Sequence, residues 1–184
     1  MRTKKLLATL STITGNTEKI SEAVRCALTK EGFIIEVYKN SEMDKPAPSK
    51  DGKSGQDGFG SPILVFFWCR RSGLDDLSKS FIKKNMNREF LAFGTMGAYP
   101  YGEYGNKVKK NVTEFIEASG NRCLGVFLSQ GAIPVEKTIY RASLPKDNPH
   151  HLDEAGVARH EESRLHPNEA DLHAAVKFAT DVLL

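Results

Sequence analysis

The chain has 184 residues, 40% hydrophobic and 27% charged. That supplies enough apolar material for one sizeable core and excludes a disordered or fibrous chain. Twenty-six lysines and arginines against 23 aspartates and glutamates give a formal net charge of +3, too small an excess for a dedicated nucleic-acid binder. The balance is uneven, because residues 147–184 hold eight acids and three bases while residues 1–146 hold 23 bases and 15 acids.

The first predicted element is a buried strand over Leu6–Leu10. Its run of five residues, four of them apolar, falls short of the roughly 7–15 of a secretory leader, and no stretch approaches the roughly 18 needed to span a membrane. Helical spacing follows at Ile20, Ala23, Val24, Ala27 and Leu28. Further solid apolar runs predict strands at Phe33–Tyr38, Ile63–Trp68, Phe90–Thr95 and Cys123–Leu128, and such runs fit strands covered on both faces. Leu77, Phe81 and Ile82 mark a short helix opened by Asp75-Asp76; Val108, Val112, Phe115, Ile116 and Ser119 mark a longer one. A closing helix runs through Leu172, Ala175, Val176, Ala179, Val182 and Leu183, starting near Pro167-Asn168. The Gly- and Pro-rich stretch 41–61 is expected to be a loop that replaces a helix at least in part. Residues 132–166 form a polar extension, a candidate lid or partner surface, with one weak helical patch near Asp153–Arg164. The whole reads as one α/β domain over residues 1–184, a doubly wound parallel sheet with helical crossovers and a C-terminal helical extension.

Three cysteines, Cys26, Cys69 and Cys123, form no CxxC and no disulfide framework, which fits a reducing, cytoplasmic setting. Cys26 and Cys123 read as buried structural thiols. The late histidines (His150, His151, His160, His166, His173) match no standard zinc spacing and read as solvated groups on a lid or partner surface. No GxSxG elbow is present, so no catalytic residue and no metal ligand is assigned.

The most informative segment is Ser11-Thr12-Ile13-Thr14-Gly15-Asn16-Thr17, directly between the first strand and the first helix. Such a turn aims backbone N–H groups and a helix N-terminus at one point. Hydroxyls and an amide add neutral donors, and Gly15 allows close approach. A phosphate fits this chemistry, while the absence of GxxxxGK[ST] and GxGxxG disfavours a nucleoside triphosphate or a dinucleotide. A merely capped Thr-rich turn is the competing reading.

This loop resembles the flavodoxin fingerprint Thr/Ser-x-Thr-Gly-x-Thr, which holds the 5′-phosphate of FMN in that family. Ile63–Trp68 with Cys69–Gly73 is similar to the family's third strand and first flavin-flanking loop. Phe93-Gly94-Thr95-Met96-Gly97-Ala98-Tyr99-Pro100 is similar to the fourth strand and second flanking loop, and Phe127–Gly131 to the end of the fifth strand. The combination most resembles a bacterial flavodoxin subfamily whose members include companions of reductases, the bilirubin-reducing system among them. The resemblance implies a five-stranded flavodoxin-like sheet of order 2-1-3-4-5, which brings the loops after the first, third and fourth strands to one switch point. It implies FMN as cofactor, held by Ser11–Thr17, Trp68, Cys69, Arg70, Gly94, Thr95, Met96, Gly97, Tyr99 and Tyr104. Trp68 could stack on the flavin or close the core; Tyr99, Tyr101 and Tyr104 compete for the second wall. Arg70 and Arg71 depart from the acidic or neutral surroundings of many electron carriers. They would either stabilise an anionic reduced flavin or form a docking patch. Cys69 beside them is either a redox thiol acidified by the arginines or a small loop residue. The implied function is electron shuttling between a reductase and an acceptor. The alternatives are an FMN-dependent NAD(P)H reductase or reductase subunit acting on a quinone or tetrapyrrole, and a flavin-free interaction module. Electron-carrying members are usually strongly acidic, so the basic body points to an acidic redox partner or to a tail folded back across it. No nucleic-acid partner is expected, and oligomeric state is left open.

Overall fold

A computed structural model of the chain describes residues 4–44, 47 and 61–184. Five strands, β1 (Lys4–Leu10), β2 (Phe33–Lys39), β3 (Ile63–Trp68), β4 (Glu89–Met96) and β5 (Arg122–Gln130), form one parallel sheet in the order β2-β1-β3-β4-β5. The helices are α1 (Asn16–Lys30), α2 (Asp76–Lys84), α3 (Gly102–Ala118), α4 (Val135–Ala142), α5 (Glu154–Ser163) and α6 (Glu169–Leu183), with a short 3-10 helix at Asn40–Asp44. The sheet is the expected flavodoxin-like α/β fold. Of the expected 41–61 loop, Ser41–Asp44 belong to the 3-10 helix, and all but Ala47 and Ser61 of the remainder lies outside the described residues.

Alternation along the strands splits the core into two layers. One face packs Ile63, Val65, Phe67, Phe90 and Ala92 against Phe81 and Ile82 of α2 and Val108, Val112 and Ile116 of α3. The other packs Leu6, Ala8, Leu10, Leu64, Phe66 and Phe93 against Ile20, Val24 and Leu28 of α1 and Ala175 and Ala179 of α6. Phe66 stacks on Phe93 at 4.8 Å between centroids, and Phe178 of α6 meets Phe93 edge-on at 5.6 Å. Burying each such ring is worth about 1.5–3 kcal/mol. A register shift between Phe90 and Leu91 gives β5 one extra residue. It places Gly125 at φ 153, where a Cβ would lie 2.9 Å from Phe178 Cζ. The bulge thus lets α6 close down on the sheet.

Two expectations are corrected: Cys26 is exposed on α1 rather than buried, and Cys123 is only half-buried. Gly94 sits inside β4 between Phe67 and Leu128, and a Cβ there would come within 2.4 Å of Phe67 Cζ and 2.8 Å of Leu128 Cδ2. Packing of the sheet therefore demands glycine at this position. Met96 ends β4 with its side chain buried in the α2–α3 layer.

Candidate functional site

The loops after β1, β3 and β4 leave the sheet at its C-terminal edge, side by side because β1, β3 and β4 are neighbours. Direct hydrogen bonds tie them together. Ser11 N donates to Phe66 O at 2.9 Å, Cys69 N to Thr95 O at 2.8 Å, and Gly131 N to Met96 O at 2.9 Å. Thr17 and Thr95, both buried, share a 2.8 Å hydroxyl contact across 78 residues of sequence.

In the first loop, Gly15 is the N-cap of α1 at φ 81 and ψ −8, a left-handed conformation that favours glycine, and no side chain caps this helix. By contrast α2, α5 and α6 are capped by Asp75, Asp153 and Asn168. Gly15 N donates to Thr12 Oγ1 at 3.1 Å. Asn16 Nδ2 donates to Thr14 Oγ1 at 2.9 Å and to Ala132 O at 3.0 Å. Ile13 and Thr14 are exposed at the loop's crest. The first turn of α1 therefore keeps its N–H groups free of side-chain acceptors. Ser11–Thr17 contains no charged side chain, so hydroxyls and a helix N-terminus converge in a neutral cradle suited to an oxyanion, with the Asn16 amide spent on holding the loop. The donor set fits the chemistry of a phosphate.

The cradle rests on a residue that sequence reasoning read only as a helix start. Asp75 is 1% exposed. Its carboxylate accepts from Leu77 N at 3.1 Å, Ser78 N at 3.1 Å, Ser78 Oγ at 2.8 Å and Ser11 Oγ at 2.9 Å. The acidic pair before an apolar run signalled the cap; nothing local signalled the reach back to Ser11.

The second loop begins at half-buried Trp68 and Cys69. Arg70 and Gly73 exchange backbone hydrogen bonds at 2.9 and 3.1 Å. Arg71 (φ 49) and Ser72 (φ 59) between them are both left-handed, as a two-residue type I′ turn requires. Non-glycine residues pay about 1–2 kcal/mol each for this conformation, and it is braced. Asn111 Nδ2 donates to Ser72 O at 2.8 Å, and Ser72 Oγ donates to Tyr104 Oη at 3.1 Å. Arg70 is ion-paired with Asp76, and Arg71 is exposed at the tip.

Burial pushes the Cys69 thiol up to about 11, with hydrogen bonds from Gly73 and Ser72 opposing only in part. The acidified-thiol reading is corrected: desolvation raises the thiol, and Arg70 and Arg71 are not among the groups that lower it. At pH 8, iodoacetamide is expected to alkylate exposed Cys26 at least about tenfold faster than Cys69, read by peptide mass spectrometry. Equal rates would show Cys69 to be activated after all.

The third loop starts at Gly97. Tyr99 is half-buried and stacks on exposed Tyr101 at 5.2 Å, 24° between planes. Tyr104 is exposed on the first turn of α3. The segment after β5 packs against the first and third loops. A Cβ on Gly131 would lie 3.0 Å from Asn16 Nδ2, and one on Gly97 would lie 2.6 Å from Ile133 Cδ1. Tyr99 Oη donates to Glu162 Oε2 of α5 at 2.6 Å. Glu162 lies 63 residues away in sequence, and no motif announced it. The expected helical patch near Asp153–Arg164 is α5; α4 was not anticipated.

The Glu162 hydrogen bond is the main cause that raises the Tyr99 pKa above 10, with desolvation second. A raised tyrosine pKa favours the neutral, donating phenol. The link is complete below pH 10 and is lost as pH rises through the higher folded value. In Glu162→Gln the Tyr99 transition, followed by absorbance of the phenolate, is expected to move down toward 10. An unmoved transition would show that the bond does not form.

His160 is buried rather than solvated, its Nδ1 3.0 Å from Thr138 Oγ1. No group of three or more His, Cys, Asp or Glu among the described residues could hold a metal ion. No helix among them is long and apolar enough to cross a membrane.

A flavodoxin domain family model matches residues 7–180. A flavodoxin-like domain-containing protein, BilS of Clostridioides difficile (strain CD3), is 28% identical over 183 residues, covering 98% of this chain and 97% of that protein. Among solved structures, the flavodoxin of Streptococcus pneumonia TIGR4 superimposes with a TM-score of 0.51 at 14% identity, covering 98% of this chain and 96% of its own. Rubredoxin oxygen:oxidoreductase from Desulfovibrio gigas gives 0.54 at 12% identity over 98% of this chain. The chain spans only 36% of that larger protein's length, so the likeness is one of fold. With a model match running nearly end to end and the three loops gathered at the switch point, the chain belongs to the flavodoxin domain family, and that membership implies an FMN-binding protein of electron transfer.

Proposed function

We propose that the protein is an electron carrier that binds one FMN noncovalently at the β1, β3 and β4 loops and passes electrons between a reductase and an acceptor. The observation that carries this reading is the uncapped, charge-free turn Ser11–Thr17 at the sheet's switch point. Thr12, Thr14 and the N–H groups of the first turn of α1, that of Asn16 included, would hold the phosphate, while the Asn16 amide fixes the loop. Thr17 is engaged with Thr95 and sets the height of the loop instead. Trp68 and the Tyr99–Tyr101 pair would wall the ring, with Tyr104 bracing the Arg70–Gly73 turn. Cys69 and Gly97 would contribute backbone, Arg70 its guanidinium at the rim. Bound FMN supplies the one- and two-electron chemistry. Residues 132–166, part of the same domain, would cover one side of the site and limit water there.

The test is the absorbance spectrum of the purified protein with titration of added FMN. Flavin bands and quenching of FMN fluorescence are expected; a colourless chain that takes up no FMN would leave a flavin-free interaction module. The cover formed by the Tyr99–Glu162 link favours a second reading, an FMN-dependent NAD(P)H reductase or a reductase subunit. Rapid anaerobic bleaching of the flavin by NAD(P)H alone would favour it over the carrier.

A further inference from the structure

The segment after β5 carries a surface that the cofactor site does not use. α4 and α5 are pinned from within, where Arg164 Nη2 donates to Thr138 Oγ1 at 3.1 Å and the same oxygen meets buried His160. The outer face is mixed. Val135, Ile139 and Tyr140 of α4 are exposed, the latter two at 65%. Lys137 and Arg141, four residues apart, form the adjoining stripe. Arg159 of α5 and Arg164 at its C-cap complete a group of four cations. Among the described residues none of the four has an ion-pair partner, although Glu136 of α4 and Glu154, Glu161 and Glu162 of α5 lie on the same helices. Burial and then these four cations lower the His160 pKa, and every charge that acts on it is positive. Arg159 and Arg164 come from the acidic tail, Lys137 and Arg141 from the basic body, so the fold gathers cations that the sequence totals separate.

Exposed aliphatic and tyrosine side chains beside unpaired arginines are the composition of a protein interface, with charge steering the encounter and apolar contact holding it. The face also borders the site. Ala132 is held by Asn16, Ile133 packs at Gly97, and α5 holds Tyr99. We propose that the α4–α5 face is the docking surface for an acidic redox-partner protein, with Val135, Ile139 and Tyr140 as its apolar centre and Lys137, Arg141 and Arg159 as its charge complement. This rests on the electron-carrier reading above.

The test uses the full chain loaded with FMN, photoreduced anaerobically and mixed by stopped flow with cytochrome c. The acceptor is used in its native basic form and in its succinylated acidic form. One electron leaves the flavin and converts ferric haem to ferrous, which the haem band reports. The wild type is expected to reduce the acidic form at least about tenfold faster than the basic form at low ionic strength, with the advantage falling as salt rises. Lys137→Glu/Arg141→Glu should slow the acidic acceptor at least about tenfold and flatten the salt dependence. Lys30→Glu/Lys83→Glu carries the same charge change at the last turns of α1 and α2 and should change the rate by no more than about twofold. Reduction of neutral benzoquinone should be the same in all three proteins. Equal losses in both charge variants, or no loss in the α4 variant, would overturn the docking face. So would a concentration-dependent dimer, seen by sedimentation, that the α4 variant abolishes, since a second copy would then cover it. A wild type that never takes up FMN would instead sink the carrier reading beneath it.

Discussion

Thr14→Glu is expected to weaken FMN binding at least about 100-fold while leaving thermal stability of the apoprotein nearly unchanged. Thr14 is exposed at the crest of the first loop, so a longer side chain meets no packing. Its hydroxyl accepts from Asn16 Nδ2 at 2.9 Å, and a carboxylate can accept the same bond. The change is therefore almost purely one of charge. On the proposed reading the phosphate is held because no side chain from Ser11 to Thr17 is ionised and the N-terminus of α1 offers free N–H groups. A carboxylate there would occupy those donors and face the phosphate. At ~6 Å and an effective dielectric of 20, two unit charges repel by about 3 kcal/mol. That is roughly two decades in affinity before the phosphate's second charge is counted. Fluorescence titration with FMN at two salt concentrations reads the effect, and the loss should shrink as salt rises. Wild-type affinity would place the phosphate elsewhere. Thr17→Glu is a poorer probe, because Thr17 is buried against Thr95 and a change there disturbs packing as well as charge.

What could be read from the sequence, and what could not, follows from where the relevant forces act. β3 was read to the residue because Ile63–Trp68 is buried along nearly its whole length, and burial on both faces writes itself as an unbroken apolar run. The closing helix and its start near Pro167-Asn168 are equally legible, since helix starts are marked by local residue types; the structure makes Asn168 the N-cap of a capping box. α4 escaped because its apolar residues face outward. Thr138 is its buried position while Val135, Ile139 and Tyr140 are exposed, so hydrophobic periodicity pointed at nothing. Gly94 is legible as part of the predicted strand Phe90–Thr95, but its reason for being glycine is not, because Phe67 and Leu128, which leave no room for a side chain at that point of β4, belong to neighbouring strands. Cys69 shows adjacency misleading in charge: two arginines follow it in sequence, yet burial governs its thiol. Glu162 and Asp75 act across 63 and 64 residues, on Tyr99 and Ser11. Contacts at that separation are set by topology, and a single sequence carries no local mark of them.

Asp75→Ala is expected to lower stability by about 3 kcal/mol and FMN affinity together, because one carboxylate serves two structures. It caps α2 through Leu77 N and Ser78 N, and it anchors the phosphate loop through Ser11 Oγ at 2.9 Å. Losing an N-cap costs about 0.5–2 kcal/mol. Ser11 and Ser78 are both buried, and their hydroxyls would lose the acceptor they now share. Each buried hydroxyl left unpaired costs about 1–3 kcal/mol, less whatever a neighbouring acceptor recovers. For a chain of this size such a loss lowers Tm by roughly 10 °C. Ser11→Ala separates the two roles. It removes the anchor of the loop while Asp75 still accepts from Leu77 N, Ser78 N and Ser78 Oγ, so the cap survives. The Ser11 variant should therefore recover most of the Tm but less of the FMN affinity. Calorimetry on the apoprotein and flavin titration on the same samples distinguish the outcomes. If both variants bind FMN as tightly as wild type, Ser11 needs no anchor and the loop holds its shape through Asn16 and Thr17 alone.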